Sequence, residues 1–517
     1  MLPLRLLLAT LGGLALWLAF PGYDVWPLAI VGCGALAVAT AGASVRSGLA
    51  SGLLLGLMWF GPMFTWASTY AGTGPWVAMT VASALYPAAL GGLLAWLQRD
   101  GMVRPVVGAA AWVLMEWGRS VSPFGGFPWS RLGFSQADSP MLGAVSLVAV
   151  PGLGFLVALV GGLLAVAAQR MLARGHGSPL THRLQAFGAV LAAATFMLGP
   201  LLIPRPVDGD PVTVAAVQGD IPPDFTRTLT AEPGTMLQRY TDLTHELATD
   251  LSSGALPSPD LVLWPEGASD LDPLRPDGSP VATGRIMDAV DDIGAPVVLG
   301  AVSRRGGEAP HNMALSYLPG TGLDQTYTKI YLAPFGEVMP LRSIMRHLSP
   351  WVDRITDFVP GTRPGVMPVP LRDGRVVHLG LSICFEIVVD PAVRDVVTGG
   401  ADLLVVPTSN AWFGPGDQSA QHIAASRVRA VEYGRSVVHI SNVGISGLIT
   451  PAGTVHQRTE LFSQALLEGE LPLRTDLTLA VRTGPWVPLA AVLIVLLGLL
   501  PRRPRAAAGA ATVRLAR

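Results

Sequence analysis

Hydrophobic residues form long blocks towards both ends of the chain and only short blocks between them. The long apolar blocks lie approximately at residues 4–20, 26–43, 48–70, 75–97, 103–118, 141–168, 184–203 and 484–500. Each is close to the roughly 20 residues that a helix needs to cross the hydrocarbon core of a bilayer. The pattern therefore predicts eight transmembrane helices, and the glycine and alanine content of several blocks favours close helix packing in lipid.

Arginines flank these blocks unequally, and short cytoplasmic loops are the ones that retain positive charge. With the N-terminus inside, the cytoplasmic side receives Arg5, Arg46, Arg99, Arg104, Arg170, Arg174, Arg183, Arg502, Arg503 and Arg505. The opposite loops at 21–24 and 71–74 carry no basic residue, and a longer one has only Arg119 and Arg131. We expect residues 205–480 to lie outside the cytoplasm and both termini to lie in it. The first helix is expected to be retained, because no small-x-small cleavage site follows it.

The middle of the chain has shorter apolar runs that alternate with polar helical stretches. Strand-like runs lie at 212–217, 261–264, 296–299, 377–381, 403–406 and 437–440, and helical patterns at about 235–251 and 418–433. Nearly continuous apolar runs are typical of strands that are covered on both faces. The pattern predicts a layered α/β domain between the last two membrane helices, large enough for one substantial core.

Composition narrows the class of protein further. Half of the residues are hydrophobic and 14% are charged, which is unusual for a soluble globular protein. The net charge of −1 gives no electrostatic basis for a nucleic-acid partner. The two cysteines, Cys33 in an apolar run and Cys384 beyond a predicted strand, have settings too different for a disulfide framework. We expect Cys33 to pack as a small apolar residue.

Three residues with reactive side chains lie beside predicted strands or in a Gly- and Pro-punctuated segment. Glu266 follows the strand-like run at 261–264, and Cys384 follows the run at 377–381. Lys329 is the single lysine among 35 basic residues, which suggests a site that needs a compact cation rather than a guanidinium. Strand ends commonly carry function on an α/β scaffold, because the sheet fixes the backbone there.

A carboxylate, an ammonium and a thiol together suit acyl transfer. A thiol at its ordinary pKa is mostly protonated at neutral pH and needs a base or a cation to become nucleophilic. Glu266 could take the proton, and Lys329 could stabilise an oxyanion, an effect of roughly 3–4 kcal/mol. The residues alone leave open a solvated Glu266, a surface Lys329 and a Cys384 that is only a small core residue.

The order and local contexts of these residues resemble the catalytic triad of the nitrilase superfamily. More narrowly, the chain resembles the apolipoprotein N-acyltransferase family over nearly its whole length. The matching segments are Trp264-Pro265-Glu266, Lys329 through Glu337, Cys384-Phe385-Glu386, Phe127-Pro128-Trp129 and Gly133-Phe134-Ser135-Gln136. The last two lie in the membrane portion and separate this family from soluble nitrilases.

The resemblance implies a polytopic α-helical membrane domain plus an extracytoplasmic nitrilase-like αββα sandwich. Residues 1–204 would form a membrane domain of seven transmembrane helices, 205–480 the catalytic domain, and 481–517 the eighth helix and a short cytoplasmic tail. It also implies the cytoplasmic (inner) membrane as the location. Phospholipid, diacylated apolipoprotein and the bilayer are the implied partners, and we expect a monomer.

The resemblance further implies a two-step reaction without metal or cofactor. Cys384 would take a fatty acyl group from a phospholipid as a thioester and pass it to the α-amine of a diacylglyceryl-cysteine. Glu266 would act as base and then acid, Lys329 as oxyanion stabiliser, Glu337 as the residue that orients them, and Glu386 as a supporting residue. The expected substrate-binding residues are Phe127, Trp129 and Trp412.

Phe127 and Trp129 belong to an aromatic-rich loop that also contains Phe124 and Phe134. Aromatic rings favour the depth of the lipid headgroups, so we expect this loop to help form a lipid entrance. An ordinary interfacial aromatic belt without substrate contact is the competing interpretation.

The chain departs from the family pattern at three places. It has Phe385 where many members have tyrosine, Ser409-Asn410 where Asn-Asp is frequent, and no tryptophan near 222–227. These departures affect the expected substrate preference more than the reaction type.

Three other functions were compared with acyl transfer. A membrane-tethered amidase would use the same triad with water as the second nucleophile. A binding module would carry a decayed triad, against which the intact Glu266, Lys329 and Cys384 argue. A transporter would carry ionisable residues within its spans, where Glu116 is the main candidate.

Overall fold

The computed structural model describes residues 2–69, 72–173, 178–220, 232–254, 258–275, 279–305, 307, 309–347, 352–353 and 356–500. Apolar helices occupy the predicted blocks among these residues. They are α1 (Leu2–Leu18), α2 (Pro27–Thr40), α3 (Val45–Met63), α4 (Thr73–Leu97), α5 (Pro105–Val121), α6 (Val145–Leu172), α7 (Pro179–Leu198) and, near the C-terminus, α14 (Trp486–Leu499). Arg174, the 222–227 segment and the expected tail at 501–517 lie outside the described residues.

Length and composition distinguish six of these helices from α3 and α5. Within the described ranges, three helical stretches are long and apolar enough to cross a membrane: Thr73–Leu97, Leu142–Leu172 and Pro179–Leu202. Leu2–Leu18, Pro27–Thr40 and Trp486–Leu499 are apolar but shorter. The predicted positions of the apolar helices are thus confirmed, and the predicted number of crossings stays a prediction.

Small residues allow close contact between α3 and α4. A Cβ at Gly52 would overlap the carbonyl oxygen of Pro87, and side chains at Gly48 and Gly91 would each overlap the backbone of the other. Glycine therefore sets the separation of these two helices, in keeping with the packing expected from the sequence.

Two mixed six-stranded sheets form the α/β domain among the described residues. The first has the order β12-β1-β2-β3-β4-β5 and the second the order β11-β10-β9-β8-β7-β6. Parallel pairs occupy the centre of each sheet, and antiparallel strands the edges. The strands are β1 (Asp210–Gln218), β2 (Leu261–Leu263), β3 (Val297–Ser303), β4 (His311–Leu318), β5 (Gly322–Thr328), β6 (Val366–Pro370), β7 (Val376–Leu381), β8 (Leu403–Thr408), β9 (Ser436–Ser441), β10 (Gly447–Ile449), β11 (Val455–Arg458) and β12 (Ala465–Leu473).

Shorter helices complete the layers of this domain. They are α8 (Thr235–Ser252), α9 (Pro280–Ile293), α10 (Arg342–Met345), α11 (Asp390–Thr398), α12 (Gln418–Tyr433) and α13 (Leu479–Thr483). Alternate residues of β1 show how the layers are held. Val214 lies in the cluster between the sheets, whereas Ala215 and Val217 pack in the cluster that contains α8 and α9. The central strands are therefore covered on both faces, as their apolar runs predicted.

The outer layer of the second sheet rests on the membrane helices. Val428 of α12 and Val396 of α11 belong to the same buried cluster as Leu153 and Val157 of α6. The helical region and this half of the α/β domain consequently share one continuous core.

Charged side chains cross this junction, and Arg131, Arg429 and Glu432 among them are buried. Asp390 accepts from Arg131 at 2.8 Å and from Arg429 at 2.6 Å, and Arg429 also pairs with Glu432 at 2.5 Å. The second oxygen of Glu432 accepts the backbone N–H of Val150 at 3.0 Å. That N–H follows a kink in α6, where the preceding residue has a φ of 59°. A carboxylate of the α/β domain thus takes the place of a missing helical acceptor.

Arg429 also connects the junction to the turn Cys384–Val388. Its Nε donates to the Ile387 carbonyl at 2.8 Å and its Nη2 to the Val388 carbonyl at 3.1 Å. The position of this turn is therefore linked to the position of α6.

Replacement of Arg429 by leucine is expected to destabilise the folded protein by roughly 3–5 kcal/mol, because the buried Glu432 carboxylate loses its cation, whereas the partly exposed Asp390 keeps Arg131. Arg346→Leu is the matched control. Its pair with Asp353 has side chains that are 50% and 60% exposed, and such surface pairs contribute at most about 1 kcal/mol. Thermal unfolding of both variants in detergent measures the difference. Equal midpoints would show that the junction pairs do not stabilise the fold.

Candidate active site

The three predicted residues meet at the ends of strands from both sheets. Glu266 lies just beyond β2, Lys329 directly after β5, and Cys384 opens the short turn that follows β7. Gly300 of β3 makes room for the first of them. A Cβ at this glycine would lie 2.6 Å from the Cα of Glu266, so only glycine permits this close approach.

Two carboxylates share the Lys329 ammonium. Its Nζ lies 2.8 Å from Oε2 of Glu337 and 3.7 Å from Oε1 of Glu266, and the lysine side chain is 1% exposed. Asn312 bridges the carboxylates, since its Nδ2 donates to Glu266 at 2.6 Å and to Glu337 at 2.7 Å. The backbone N–H of Ser409 donates to the remaining Glu266 oxygen at 2.7 Å. Each acidic side chain is thereby fixed in direction.

The pKa shifts of these three groups differ in direction. Burial disfavours the charged form of Glu337, but the adjacent Lys329 ammonium lowers its pKa below the ordinary value. Burial raises the pKa of Glu266, the ammonium offsets this only in part, and Glu337 raises it further. Burial opposes the charge on Lys329, but the two carboxylates raise its pKa. The arrangement is a permanent Lys329–Glu337 pair beside a second carboxylate that can exchange a proton.

Cys384 is half-buried and adopts a left-handed backbone conformation with a φ of 53°. Burial, followed by the charge of Glu266, raises the pKa of its thiol to about 12, although Lys329 opposes the shift. The resting group is therefore a thiol, and any reaction through its thiolate would require a base. Glu266 is suited to be that base.

Glu386 links two segments of the site and is not one of the carboxylates that pair with Lys329. It is completely buried. One oxygen accepts from the backbone N–H groups of Ile330 at 2.9 Å and Tyr331 at 3.1 Å, and from the Tyr327 hydroxyl at 2.8 Å. The other accepts from Ile383 N–H at 2.8 Å. This carboxylate fastens the segment after the lysine to the residue before the cysteine.

The aromatic residues named from the sequence have different positions. The Phe127 ring is half-buried and stacks on Phe385, beside the cysteine, with centroids 5.9 Å apart. Trp129 is 4% exposed, and its indole N–H donates to Gln421 at 2.8 Å. It therefore lies inside the junction between the two regions. Trp412 belongs to the short turn Ala411–Phe413, and its side chain lies outside what the structure describes.

Sequence reasoning missed Asn312, Thr408 and His422. Asn312 lies on β4, which alternates too weakly in polarity to be predicted as a strand. Thr408 ends β8, two residues beyond the predicted run, and an extension of that run would have found it. His422 lies in a helix that was predicted, but nothing in its spacing indicated a contact with the cysteine.

Comparison with known proteins decides the family. Residues 12–163 match the model of the apolipoprotein N-acyltransferase N-terminal domain, and residues 213–475 match that of carbon-nitrogen hydrolases. An apolipoprotein N-acyltransferase from Mycolicibacterium smegmatis is 34% identical over 95% of this chain and 84% of its own. The chain belongs to the apolipoprotein N-acyltransferase family. Its activity is accordingly the N-acylation of lipoproteins, and it is a membrane protein with several apolar helices.

Other apolipoprotein N-acyltransferases are similar over most of their length. The enzyme from Pseudomonas putida is 30% identical over 95% of both chains, and that from Geobacter metallireducens is 30% identical over 90% of this chain and 89% of its own. Among solved structures, an amidase from Nesterenkonia sp. covers 53% of this chain and 94% of its own, with 21% identity and a TM-score of 0.39. The carbon-nitrogen hydrolase match is what identifies the α/β domain of this apolipoprotein N-acyltransferase as nitrilase-like.

Proposed function

We propose that Cys384 carries the fatty acyl group as a thioester between a phospholipid donor and the α-amine of a diacylglyceryl-cysteine. The observation that supports this most directly is the buried Lys329 ammonium between Glu266 and Glu337, beside a thiol at the same edge of the domain. Base, oxyanion stabiliser and nucleophile are then within one small volume.

In the first half-reaction, Glu266 takes the thiol proton while the Cys384 sulfur attacks the ester carbonyl. The oxyanion that forms lies against Lys329, which Glu337 holds in place. Collapse of the tetrahedral intermediate breaks the bond to the glycerol oxygen. Glu266 returns its proton to that oxygen, and the lysophospholipid leaves.

The second half-reaction reverses the proton flow. The acceptor amine attacks the thioester, and Glu266 takes the proton that the nitrogen loses. When the tetrahedral intermediate collapses, the sulfur leaves and receives this proton. The products are an amide on the lipoprotein and the original Cys384 thiol, so no net proton is gained or lost by the enzyme.

The proposed topology is the one the arginines predict. Eight helices cross the membrane, residues 205–480 face away from the cytoplasm, and both termini lie inside it. The domain division at 1–204, 205–480 and 481–517 and a monomeric state belong to the same proposal. The shared core between α6 and the α/β domain supports it, because both substrates keep their acyl chains in the bilayer while their reacting groups lie at its surface.

Phe127 is proposed to contact the acyl donor, because its ring covers Phe385 next to the nucleophile. Phe127→Ala is expected to raise the KM for phospholipid by roughly two- to tenfold, the loss of affinity expected when one stacked aromatic contact is removed. Phe124→Ala, in the same loop but 49% exposed, is the control and should leave the KM unchanged. Steady-state kinetics in mixed micelles compares the variants. An unchanged KM for Phe127→Ala would remove the donor contact.

Intact-protein mass spectrometry after brief incubation with phospholipid alone tests the thioester. We expect a fatty acyl adduct that is labile to hydroxylamine, maps to the peptide containing Cys384 and disappears when a diacylglyceryl peptide is added. Cys33→Ala is the matched control, because this cysteine is buried among the membrane helices and should not change the adduct. Active enzyme without an adduct on Cys384, under conditions that trap intermediates, would overturn the proposal.

A further inference from the structure

An apolar groove lies on the outside of the helical region, between α6 and α14. It has a volume of about 210 Å³, and every residue that lines it is apolar or aromatic. The walls include Val148, Phe155 and Leu156 of α6 and Trp486, Ala490 and Ile494 of α14. All six of these side chains are at least partly exposed. The rest of the protein therefore does not fill the groove.

The groove has the length of an acyl chain within one leaflet. Both helices start on the side of the α/β domain, because Glu432 bonds α6 near its start and α14 follows the last short helix of that domain. The lining covers 148–156 in α6 and 486–494 in α14, and each stretch rises about 12 Å at roughly 1.5 Å per residue. This length is close to half of the roughly 30 Å hydrocarbon core. In the proposed topology, the groove therefore begins at the membrane surface next to the α/β domain.

A cationic side chain lies at that end of the groove. Nη2 of Arg394, in α11, donates to the carbonyl oxygen of Val481 at 3.4 Å. The same atom is 3.4 Å from the position that a Cβ on Gly484 would occupy. Gly484 comes two residues before Trp486, which lines the groove. The guanidinium consequently lies beside the connection that leads into α14.

The positive charge at this connection is not neutralised by the protein. Nε of Arg394 has no hydrogen-bond partner, and the Val481 carbonyl is a distant one. Asp390, one turn earlier in α11, already pairs with Arg131 and Arg429. A second arginine, Arg482 of α13, is exposed in the same connection. Neither Arg394 nor Arg482 pairs with a carboxylate in the part of the chain that the structure describes.

Unpaired cations at the end of an apolar groove are complementary to a phospholipid. Guanidinium groups bind phosphate oxygens in bidentate fashion, and a tryptophan at the end of a membrane helix favours the depth of the headgroups. A free phosphate would neutralise the arginines but leave the groove empty. A hydrocarbon chain alone would fill the groove but leave the arginines unpaired. A phospholipid satisfies both parts of the site.

We propose that the groove between α6 and α14 binds one phospholipid molecule, whose phosphate contacts Arg394 and Arg482 and whose acyl chain lies in the groove. Two unpaired cations favour an anionic headgroup, such as that of phosphatidylglycerol, over a zwitterionic one. This site is separate from the donor site, because neither Cys384 nor Phe127 lines the groove. The bound lipid joins α11 of the α/β domain to two membrane helices and thereby stabilises the junction.

Native mass spectrometry of the full-length Cys384→Ala protein in detergent measures the binding of phosphatidylglycerol, because this variant does not consume the lipid. We expect one phosphatidylglycerol that is held more tightly than phosphatidylethanolamine. Arg394→Gln and Arg482→Gln should each weaken its binding roughly fivefold, the usual effect of one basic residue at a membrane surface, and together roughly 25-fold. Arg346→Gln is the matched control, since its pair with Asp353 is exposed, and it should change nothing. A lipid in the donor site should not respond to any of these substitutions.

Ala490→Phe tests the part of the site that holds the chain. The ring would occupy the groove while both arginines remain, so this variant should also bind phosphatidylglycerol less tightly. Ala490→Leu replaces it if the phenylalanine variant does not fold, and unfolding midpoints without added lipid are compared for all variants. Glycerol 3-phosphate distinguishes a lipid from a free phosphate. We expect it not to bind at concentrations at which phosphatidylglycerol saturates the protein.

Three results would overturn the lipid site. Unchanged phosphatidylglycerol affinity in the double arginine variant would show annular lipid only. Full affinity in the folded Ala490 variant would show that no chain occupies the groove. Binding of glycerol 3-phosphate that the arginine substitutions abolish would show a phosphate site instead.

Acylation of Cys384 separates this inference from the proposed function. With the nucleophile intact, the double arginine variant should form the acyl adduct within about threefold of the wild-type rate. A loss of adduct that parallels the loss of lipid would show that the groove holds the donor and would overturn a separate site. A wild type without an adduct on Cys384 would overturn the proposed function and leave the lipid site, which is measured in the alanine variant.

Discussion

Cys384→Ala is expected to form no acyl adduct and to lose acyl transfer by roughly a millionfold, as when the nucleophile of a hydrolase is removed. Alanine is smaller than cysteine and has no polar atom, so the half-buried position should tolerate it. Binding of phospholipid should persist, because the surrounding charges and the Phe127 ring are unchanged. Loss of turnover with retained binding would separate chemistry from recognition.

Cys384→Ser refines this result. A serine hydroxyl has a much higher pKa than a thiol, and a carboxylate base removes its proton poorly, so activity should remain close to the alanine level. Adduct formation is followed by intact mass and transfer by the shift of a lipopeptide on a gel. A variant without Cys384 that still transfers acyl chains at an appreciable fraction of the wild-type rate would exclude a covalent route through this residue.

Glu266→Gln should reduce the rate of Cys384 acylation by roughly 10²- to 10⁴-fold, the usual contribution of a general base. The amide cannot take the thiol proton, which the raised pKa of Cys384 keeps on the sulfur at neutral pH. Glu337→Gln is the comparison, since it weakens the Lys329 pair but leaves the base in place. We expect it to lose less rate than Glu266→Gln.

The pH dependence of kcat/KM tests the role of Glu266 independently. A base works only when it is ionised, and burial raises the pKa of Glu266. The kcat/KM of the wild type should therefore rise with pH through a value above the ordinary glutamate range. Glu266→Gln should lack this acid limb. An unchanged limb in the variant would assign the titration to another group.

The geometry also accounts for two departures from the family pattern. Ser409 contacts Glu266 through its backbone N–H, which donates to the carboxylate. A change of side chain at this residue therefore leaves the contact intact. The Ser409 hydroxyl instead accepts from Asn442 at 2.8 Å. Phe385 likewise keeps an aromatic face for Phe127, although it lacks a hydroxyl.

Glu116 shows how a residue can suggest one function from the sequence and serve another. It was the main ionisable candidate for a transport pathway. In the structure it accepts the backbone N–H of Leu132 at 2.6 Å and is 3% exposed. Arg119, one turn further along α5, donates to the carbonyls of Phe127 and Trp129 at 2.8 and 2.5 Å. Both charges hold the loop that supports the junction.

Strand prediction succeeded for the strands that have a parallel neighbour and failed for those that pair only in antiparallel fashion, towards the sheet edges. β1, β2, β3, β7, β8 and β9 were found from continuous apolar runs. β5 was not, because Leu323 and most of its neighbours are partly exposed and its hydrogen bonds go to β4 rather than to a central strand. Edge strands need fewer apolar residues, so they leave a weaker signal.

Local sequence determined the apolar helices, the central strands and the three reactive residues, because burial requires continuous apolar side chains and acyl transfer requires a few residue types. Only the tertiary structure decided which groups touch. The Lys329–Glu266 contact, the Asn312 bridge and the His422–Cys384 contact join residues far apart in the chain. Such contacts arise when two sheets and a helix close on one core, and no local pattern encodes that distance.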